Sequence, residues 1–368
     1  MAQNQKLMLG PFVPPQVKQA KINYTELETL LGKELQYATR GRHAIFHILK
    51  ALRICRGVII PAYSCPTIRT AIEAANLPYY YCDISEQDLN IDFESFIKVH
   101  QRTNADCVIV PSLYGNPANL EAIEEYCQQH GVKMIDDAAQ SFGAKLNDKY
   151  LTSFGDGGLF AFSPGKSTPS AMGALFWFKG EYTIKRTKHN AIHKLIHLNY
   201  AINRRDYYSC KCSDFLKKLL NLITIYTEIL VSIRNDKMAD FEEGHLGGII
   251  AACLNGELTY RNDYFDEFLQ RFGDKGWFRI VLEQRGKPVH HKIVIVLKTK
   301  ELTHSLRQYL RQEGIHTFGG YFYPDNCGDC YITESVVGKI VEIPIENDKN
   351  KMEHAFQCIN KFFIEKEE

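Results

Sequence analysis

One lysine of the sequence lies where it could act as a nucleophile. Lys166 follows the apolar, strand-like run GLFAF and a Ser-Pro-Gly turn. Such a run is expected to lead the lysine towards the interior, and a lysine in a partly buried pocket can lose its proton and form a Schiff base with a carbonyl group. A surface lysine in a Gly/Pro turn is the alternative, and spacing alone favours that simpler interpretation.

Two carboxylates end a strand-like segment upstream of this lysine. Asp136 and Asp137 stand in the sequence MIDDAAQS. Pyridoxal phosphate needs a lysine for its Schiff base and an acid that keeps its pyridine nitrogen protonated, and Asp137 could be that acid. Because neighbouring residues of a strand point to opposite faces, only one of the two carboxylates can face a bound ring.

The segment around Lys166 also has to be compared with a nucleotide-binding loop. Gly165-Lys166-Ser167 matches the end of the phosphate-loop pattern G-x-x-x-x-G-K-[ST]. The first glycine of that pattern would fall at position 160, which is Phe160, and Pro169 stands where a helix should begin. The sequence therefore excludes a nucleotide hydrolase of this type.

The elements that must position these residues alternate between strand and helix from about residue 43 to 136. Short, continuously apolar strands between helices predict a parallel sheet covered on both faces, with ligands bound beyond the carboxyl ends of the strands. Pro61, Pro111 and Asp136 lie at those ends. The predicted helices cover residues 43–53, 67–75, 93–101 and 119–129, and the predicted strands cover residues 57–61, 78–82, 106–111 and 132–136.

The rest of the chain predicts a second, smaller α+β domain. Residues 238–272 have the pattern of one long helix leading away from the sheet, followed by strands at 278–282 and 292–297 and by helices at 302–312 and 351–363. We therefore predict a large domain over residues 1–237 and a small C-terminal domain over residues 238–368, which includes the linking helix.

Residues 181–237 form a basic insert with eleven Lys or Arg and five acidic residues, a local charge of +6. Residues 215–233 within it are mostly apolar and helical in pattern. We expect helices that pack on their own domain or on a second subunit. Contact with a membrane surface or a polyanionic substrate is the less favoured alternative.

Composition excludes several classes of protein. With 45% hydrophobic residues the chain is not disordered, and a net charge of +1 does not favour nucleic-acid binding through bulk charge. The sequence shows neither a secretory signal nor a long apolar span, so we expect a cytoplasmic protein whose eleven cysteines are thiols. A zinc site formed by Cys210, Cys212, Cys327 and Cys330 is the less favoured alternative, and no metal is predicted.

Taken together, these motifs resemble the pyridoxal-phosphate-dependent sugar aminotransferases of the DegT/StrS group. Members carry a Gly-Thr-like helix start, an aspartate in an E-D-A-A-Q segment and a lysine after F-G-D-x-G-x-F-S-F. The likeness covers residues 40–178 well and the end of the chain more weakly. The corresponding segments here are RGRH at 40–43, VIIPAY at 58–63, LYGNPA at 113–118, DDAAQ at 136–140 and FGDGG at 154–158 running on to Lys166.

The resemblance implies the fold-type-I aminotransferase architecture and a homodimer whose active sites lie at the subunit boundary. It implies that Lys166 forms the Schiff base and moves the proton, that Asp137 pairs with the pyridine nitrogen and that Gln140 lies near the phenolic oxygen. The amides of Gly41 and Arg42 would hold the phosphate, as unpaired N–H groups and the helix dipole favour an anion at a helix start.

The sequence departs from the family pattern at positions close to the cofactor. The serine that the family places five residues before the lysine is Ala161, and Ser163 or Ser167 is the candidate replacement for its hydroxyl. The aromatic residue that stacks on the cofactor ring falls near Cys65, with Tyr63 as a nearby candidate.

The predicted reaction is amino transfer from a donor such as glutamate to a keto sugar, most simply one linked to a nucleotide, in polysaccharide or glycan biosynthesis. One alternative is a pyridoxal-phosphate lyase or dehydratase on the same scaffold, although the related dehydratases carry histidine at the position of Lys166. The other is a non-enzymatic family member that acts as a regulator or scaffold.

Overall fold

The structure is a computed structural model that describes Leu9 and residues 18–163, 165–170, 172–186, 238, 240–283, 285–322, 324 and 327–367. Most of the basic insert, including the apolar stretch 215–233 and the first cysteine pair, Cys210 and Cys212, lies outside the described residues. Among the residues described, no helix is long and apolar enough to cross a membrane.

A seven-stranded sheet forms the centre of the large domain. Its order is β1-β9-β8-β5-β4-β2-β3, and all neighbours are parallel except the two pairs that involve β9. The mostly parallel sheet predicted from the sequence is therefore confirmed. Strands β6 and β7 form a separate hairpin. The strands in this part of the described chain are β1 Gln36–Ala38, β2 Val58–Pro61, β3 Tyr79–Cys82, β4 Cys107–Pro111, β5 Lys133–Asp137, β6 Lys145–Leu146, β7 Lys149–Tyr150, β8 Gly157–Ala161 and β9 Ala174–Phe178.

Helices cover both faces of this sheet, which explains why its strands are continuously apolar. On β4, Cys107 and Ile109 belong to one buried cluster, and Val108 and Val110 belong to the cluster on the opposite face. Residues of α2 and α3 pack in the first cluster, and residues of α1, α4 and α5 pack in the second. These helices are α1 Tyr24–Leu31, α2 Gly41–Ala51, α3 Pro66–Ala74, α4 Phe93–Thr103 and α5 Leu120–His130.

The prediction of one long helix over residues 238–272 is wrong, because the segment forms two helices, α6 Asp240–Leu254 and α7 Tyr260–Phe272. Gly256 between them has a φ of +77°, a left-handed conformation that interrupts a helix. Leu246 of α6 packs in the core of the large domain, whereas Phe268 of α7 packs in the second core. The break therefore lets the two helices serve two different cores.

The smaller domain contains a three-stranded antiparallel sheet in the order β10-β11-β12. Its helices and strands agree with the predicted α+β character, and the alternating residues Ile293 and Ile295 of the central strand belong to its core. The elements of this part of the chain are β10 Arg279–Ile280, β11 Lys292–Val296, α8 Lys300–Gln312, α9 Tyr331–Val336, β12 Ile340–Pro344 and α10 Lys349–Glu367.

The small domain docks near the carboxyl ends of the parallel strands. The Val289 amide donates to the Gly115 carbonyl at 3.1 Å, just beyond β4. Asp83, just beyond β3, accepts from the amides of Ile332 and Thr333 at 2.8 and 2.9 Å and so caps the start of α9. A cleft between the two domains consequently forms over the strand ends, where ligands bind in open α/β sheets.

Candidate active site

A cavity of about 420 Å³ lies at this edge of the sheet, between the large and small domains. All six residues predicted for the site line it. A larger cavity of about 950 Å³ contains none of them, so volume alone does not identify the site. The residues that the prediction places in the cavity are Gly41, Arg42, Asp137, Gln140, Ser163 and Lys166.

The two neighbouring carboxylates at the end of β5 have different environments. Asp137 lines the cavity, and its Oδ1 accepts from the Ala139 amide at 3.0 Å. Asp136 is not part of the cavity lining, and its Oδ2 accepts from the amides of Thr152 and Phe154 at 2.5 and 3.4 Å. The alternation of side chains along the strand therefore directs Asp137 to the cavity and Asp136 to the loop before β8.

Burial is the main influence on both carboxyl groups. It raises the pKa of Asp136 to about 8 against the lowering effect of its two amide donors. Burial also raises the pKa of Asp137, and the positive charge of Lys166 acts in the opposite direction. The charge of Lys166 therefore favours the ionised form of Asp137, whereas burial opposes it.

The loop after β8 carries Lys166 to the cavity. Gly165 has a φ of +84°, and the Lys166 amide donates to the Ser163 carbonyl at 3.2 Å, which closes a tight turn. The hydroxyl of Ser167 accepts from the Phe142 amide at 3.2 Å, and Ser167 is buried outside the cavity lining. Of the two serines considered as replacements for Ala161, Ser163 lines the cavity and Ser167 does not.

The start of α2 forms another part of the wall. Arg40 is extended, with φ −147° and ψ 154°, and Gly41 is the first helical residue. A Cβ atom on Gly41 would lie 3.2 Å from the Cβ of Ala161, so both positions favour small residues. The amides of Gly41 and Arg42 belong to the first turn, where N–H groups have no acceptor within the helix. This wall can accept an anion.

Gln140 is held between the two domains. Its Nε2 donates to the hydroxyl of Tyr321 at 2.6 Å, and its Oε1 accepts from the Tyr114 amide at 3.4 Å. Tyr321 comes from the small domain and also lines the cavity. Sequence reasoning missed this tyrosine, because 181 residues separate it from Gln140.

The structure does not bring Tyr63 to the cavity, although the sequence made it a candidate for stacking on the cofactor ring. Its side chain is fully buried, its hydroxyl lies 2.6 Å from that of Tyr114, and it accepts from the Tyr321 amide at 3.3 Å. Cys65 does line the cavity, and its Sγ lies 3.0 Å from the Thr67 hydroxyl. Tyr63 therefore supports Tyr321 from behind instead of contacting a ligand.

The small domain also contributes an ion pair that sequence reasoning missed. Lys292 of β11 donates to Glu342 of β12 at 2.5 Å, and both side chains line the cavity. The antiparallel pairing of β11 with β12 brings them together across 50 residues of sequence. No local pattern marks either residue, and the one signal in the sequence is the weaker likeness of the end of the chain to the family.

Part of the chain matches a known protein family and several known proteins. Residues 25–195 match the model of the DegT/DnrJ/EryC1/StrS aminotransferase family, which confirms the resemblance. A GDP-perosamine synthase of Vibrio cholerae is 26% identical over 152 residues, 40% of this chain and 41% of that protein. A UDP-N-acetyl-3-dehydro-alpha-D-glucosamine 3-aminotransferase of Acidithiobacillus ferrooxidans is 31% identical over 134 residues, 36% of each chain. The alignments thus span about two fifths of these relatives.

Solved structures resemble the chain over nearly its whole length. A DegT DnrJ EryC1 StrS aminotransferase from Brucella abortus has a TM-score of 0.70 at 16% identity, and the match covers 92% of this chain and 88% of that one. An E. coli GDP-4-keto-6-deoxy-D-mannose-3-dehydratase with bound hydrated PLP has a TM-score of 0.66 at 17% identity, with coverage of 91% and 90%. At these identities the likeness establishes the fold, and the predicted fold-type-I architecture is confirmed.

Proposed function

We propose that this protein is a pyridoxal-phosphate-dependent aminotransferase, because residues 25–195 match the model of the DegT/DnrJ/EryC1/StrS aminotransferase family. It would move an amino group, with glutamate as the donor, to a keto sugar linked to a nucleotide. The observation that carries the proposal is that Lys166 and Asp137 line one cavity together with the start of α2. The chain covers less than two thirds of the length of these relatives.

The residues of the cavity fit pyridoxal phosphate. The cofactor requires an amine, a carboxylate and an anion site, and Lys166, Asp137 and the first amides of α2 supply these groups. Arg42 and Ser163 line the cavity as further donors for the phosphate. When bound, pyridoxal phosphate withdraws electrons from the substrate carbon so that its proton and amino group can be exchanged.

The roles of the chain's own residues follow from their positions. Lys166 would hold the cofactor covalently through Nζ, and after release the same atom would accept a proton and return it during the transfer. Asp137 would keep the pyridine nitrogen protonated, and Gln140, fixed by Tyr321 at 2.6 Å, would donate to the phenolic oxygen. Asp136 has no part in this chemistry, because its carboxylate binds backbone amides.

The relatives support a nucleotide-linked keto sugar as the acceptor. Their names specify GDP-, UDP- and dTDP-linked substrates or products, and a Bacillus subtilis relative is a spore coat polysaccharide biosynthesis protein. Polysaccharide or glycan biosynthesis is therefore the proposed setting. The cytoplasmic location, the homodimer with shared sites and the domain boundary at 237/238 remain predictions.

A dehydratase on the same scaffold is the second candidate, and its specific support is the structural likeness to the E. coli enzyme. Lys166 argues against it, since that branch of the resemblance carries histidine there. A product analysis separates the two, because an aminotransferase leaves nitrogen on the sugar and a dehydratase removes a hydroxyl group.

The proposal is tested by locating the cofactor on the chain. The purified protein is saturated with pyridoxal phosphate, reduced with borohydride and digested, and the modified peptide is identified by mass spectrometry. We expect the modification on Lys166, its loss in Lys166→Ala and its retention in Lys179→Ala, where the side chain is 57% exposed and pairs with Asp156. A specific modification at another lysine, or no binding at all, would contradict the proposed function.

Donor and acceptor are then identified in separate half-reactions. Amino donors are screened by the change in cofactor absorption, with glutamate expected to react. The aminated form is next offered keto-sugar nucleotides with GDP, UDP and dTDP carriers, and transfer is read by mass spectrometry of the sugar product.

A further inference from the structure

The wall that the small domain contributes contains a fixed carboxylate. Oε1 of Glu342 accepts from the Tyr114 hydroxyl at 3.1 Å, and Oε2 accepts from Lys292 at 2.5 Å. Burial raises the pKa of Tyr114 well above its ordinary value, so its hydroxyl stays protonated and donates. The backbone of Glu342 is also held, by hydrogen bonds of 2.8 and 3.1 Å with Phe318. Glu342 therefore has little freedom to turn towards a ligand.

Lys292 keeps part of its hydrogen-bonding capacity. An ammonium has three N–H donors, and among the hydrogen bonds of the described residues Lys292 uses one, to Glu342. Its Nζ lies 5.7 Å from the ring centre of Phe318 and 6.0 Å from that of Tyr114, which confines the side chain. Only 11% of the side chain is exposed, and Lys292 lines the cavity. The remaining N–H groups are therefore available to a ligand there.

The cationic side chains of the cavity belong to both of its walls. Four cationic side chains and two carboxylates line it. The cations at the start of α2 accompany the phosphate site, whereas Lys292 stands on the other domain. A second anionic group, placed on the side of the small domain, would complement it. The cations are Arg40, Arg42, Lys166 and Lys292, and the carboxylates are Asp137 and Glu342.

We propose that Lys292 is a specificity-determining residue that binds the α-carboxylate of the amino donor, with Glu342 and Tyr114 holding it in place. The inference rests on the proposed function. The α-carboxylate is attached to the carbon that gives up the amino group, so it must lie inside the cavity beside Lys166. The diphosphate of a nucleotide sugar is separated from the keto carbon by part of the sugar ring and can extend beyond the cavity.

The test compares two donors that differ only in this carboxylate. Glutamate and 4-aminobutyrate are titrated against the cofactor-loaded protein, and the dissociation constant of each is read from cofactor absorption. In Lys292→Met we expect about 10- to 100-fold weaker binding of glutamate, the range for losing a charged hydrogen bond, and unchanged binding of 4-aminobutyrate. Lys287→Met is the matched control, because that lysine is 74% exposed and pairs with Asp148.

Calorimetry with 2-methylglutamate measures donor binding without turnover, because this compound has the α-carboxylate but no α-proton. Its affinity should fall in Lys292→Met by the same factor as that of glutamate. The KM of the keto-sugar acceptor should stay unchanged. Lys292→Gln keeps an N–H donor to Glu342 but removes the positive charge. The same measurements are made on this variant if Lys292→Met does not fold.

Two outcomes would overturn the inference: unchanged glutamate binding in both variants, or an equal loss for both donors, which would mean a merely structural role. Failure of the proposed function looks different, since the wild-type protein would then bind no cofactor at Lys166 or would not respond to any amino donor.

Discussion

The buried carboxyl group of Asp136 should make the stability of the protein depend on pH. Its pKa rises from the ordinary value of 3.8 to about 8, chiefly because the group is buried. Between these two values the folded protein keeps a proton that the unfolded chain releases, so the free energy of unfolding falls as the pH rises. The contribution is fully present below about pH 4 and is lost as the pH passes through about 8.

The size of the effect follows from the same two values. Within this window each pH unit costs about 1.4 kcal/mol, so from about pH 5 to about pH 7 the folded state should lose about 3 kcal/mol through this group. The variant Asp136→Asn cannot titrate, and its amide oxygen can still accept from Thr152 and Phe154 as Oδ2 does now. The stability of the variant relative to wild type should therefore increase by about 3 kcal/mol over that range.

Urea unfolding at several pH values measures this difference. Asp148→Asn is the control, because Asp148 is exposed and the adjacent Lys287 holds its pKa below the ordinary value. That carboxyl is ionised throughout the range, and we expect no change with pH relative to wild type. A difference between Asp136→Asn and wild type that stays constant, or that falls as the pH rises, would refute the reasoning.

Other substitutions test the site and its supports. Asp137→Asn should lower kcat by about 100-fold or more, because it removes the acid at the cavity, with little loss of stability, because the amide oxygen of Asn can still accept from the Ala139 amide. If Asp136→Asn lowers kcat more than Asp137→Asn does, the assignment of the two carboxyl groups is wrong. Gly115→Ala should lower the free energy of unfolding, measured in urea, by about 3 kcal/mol, because Gly115 has a φ of +89° and its new Cβ would overlap the carbonyl oxygen of Val289. Tyr63→Phe should lower the free energy of unfolding by about 1–2 kcal/mol in the same assay, because the buried contact with the Tyr114 hydroxyl is lost. For Gly115→Ala or Tyr63→Phe, a urea midpoint equal to that of wild type would contradict the prediction.

The part of the large domain from about residue 43 to 136 follows from local sequence patterns. Its strands are short and apolar on both faces, so each one must lie between two layers of helices, and only a mostly parallel sheet satisfies that requirement. The alternation along β5 likewise predicts that Asp136 and Asp137 point to opposite faces, and the family resemblance selects Asp137 for the cavity. Patterns of this kind act over a few residues, and the structure reproduces them within one or two residues at most ends.

The wall formed by the small domain depends on contacts that local patterns do not encode. Lys292 meets Glu342 only because β11 pairs with β12, and Tyr321 reaches Gln140 across 181 residues. The helix break at Gly256 also depends on tertiary contacts. A single glycine is tolerated within a helix, and the chain turns at Gly256 because α6 and α7 pack in two different cores. Local patterns were enough to predict the parallel strands β2 to β5 and the residues at their ends. The residues of the small domain that face these strand ends could not be predicted, because side chains far apart in sequence become neighbours only once both domains have folded and docked.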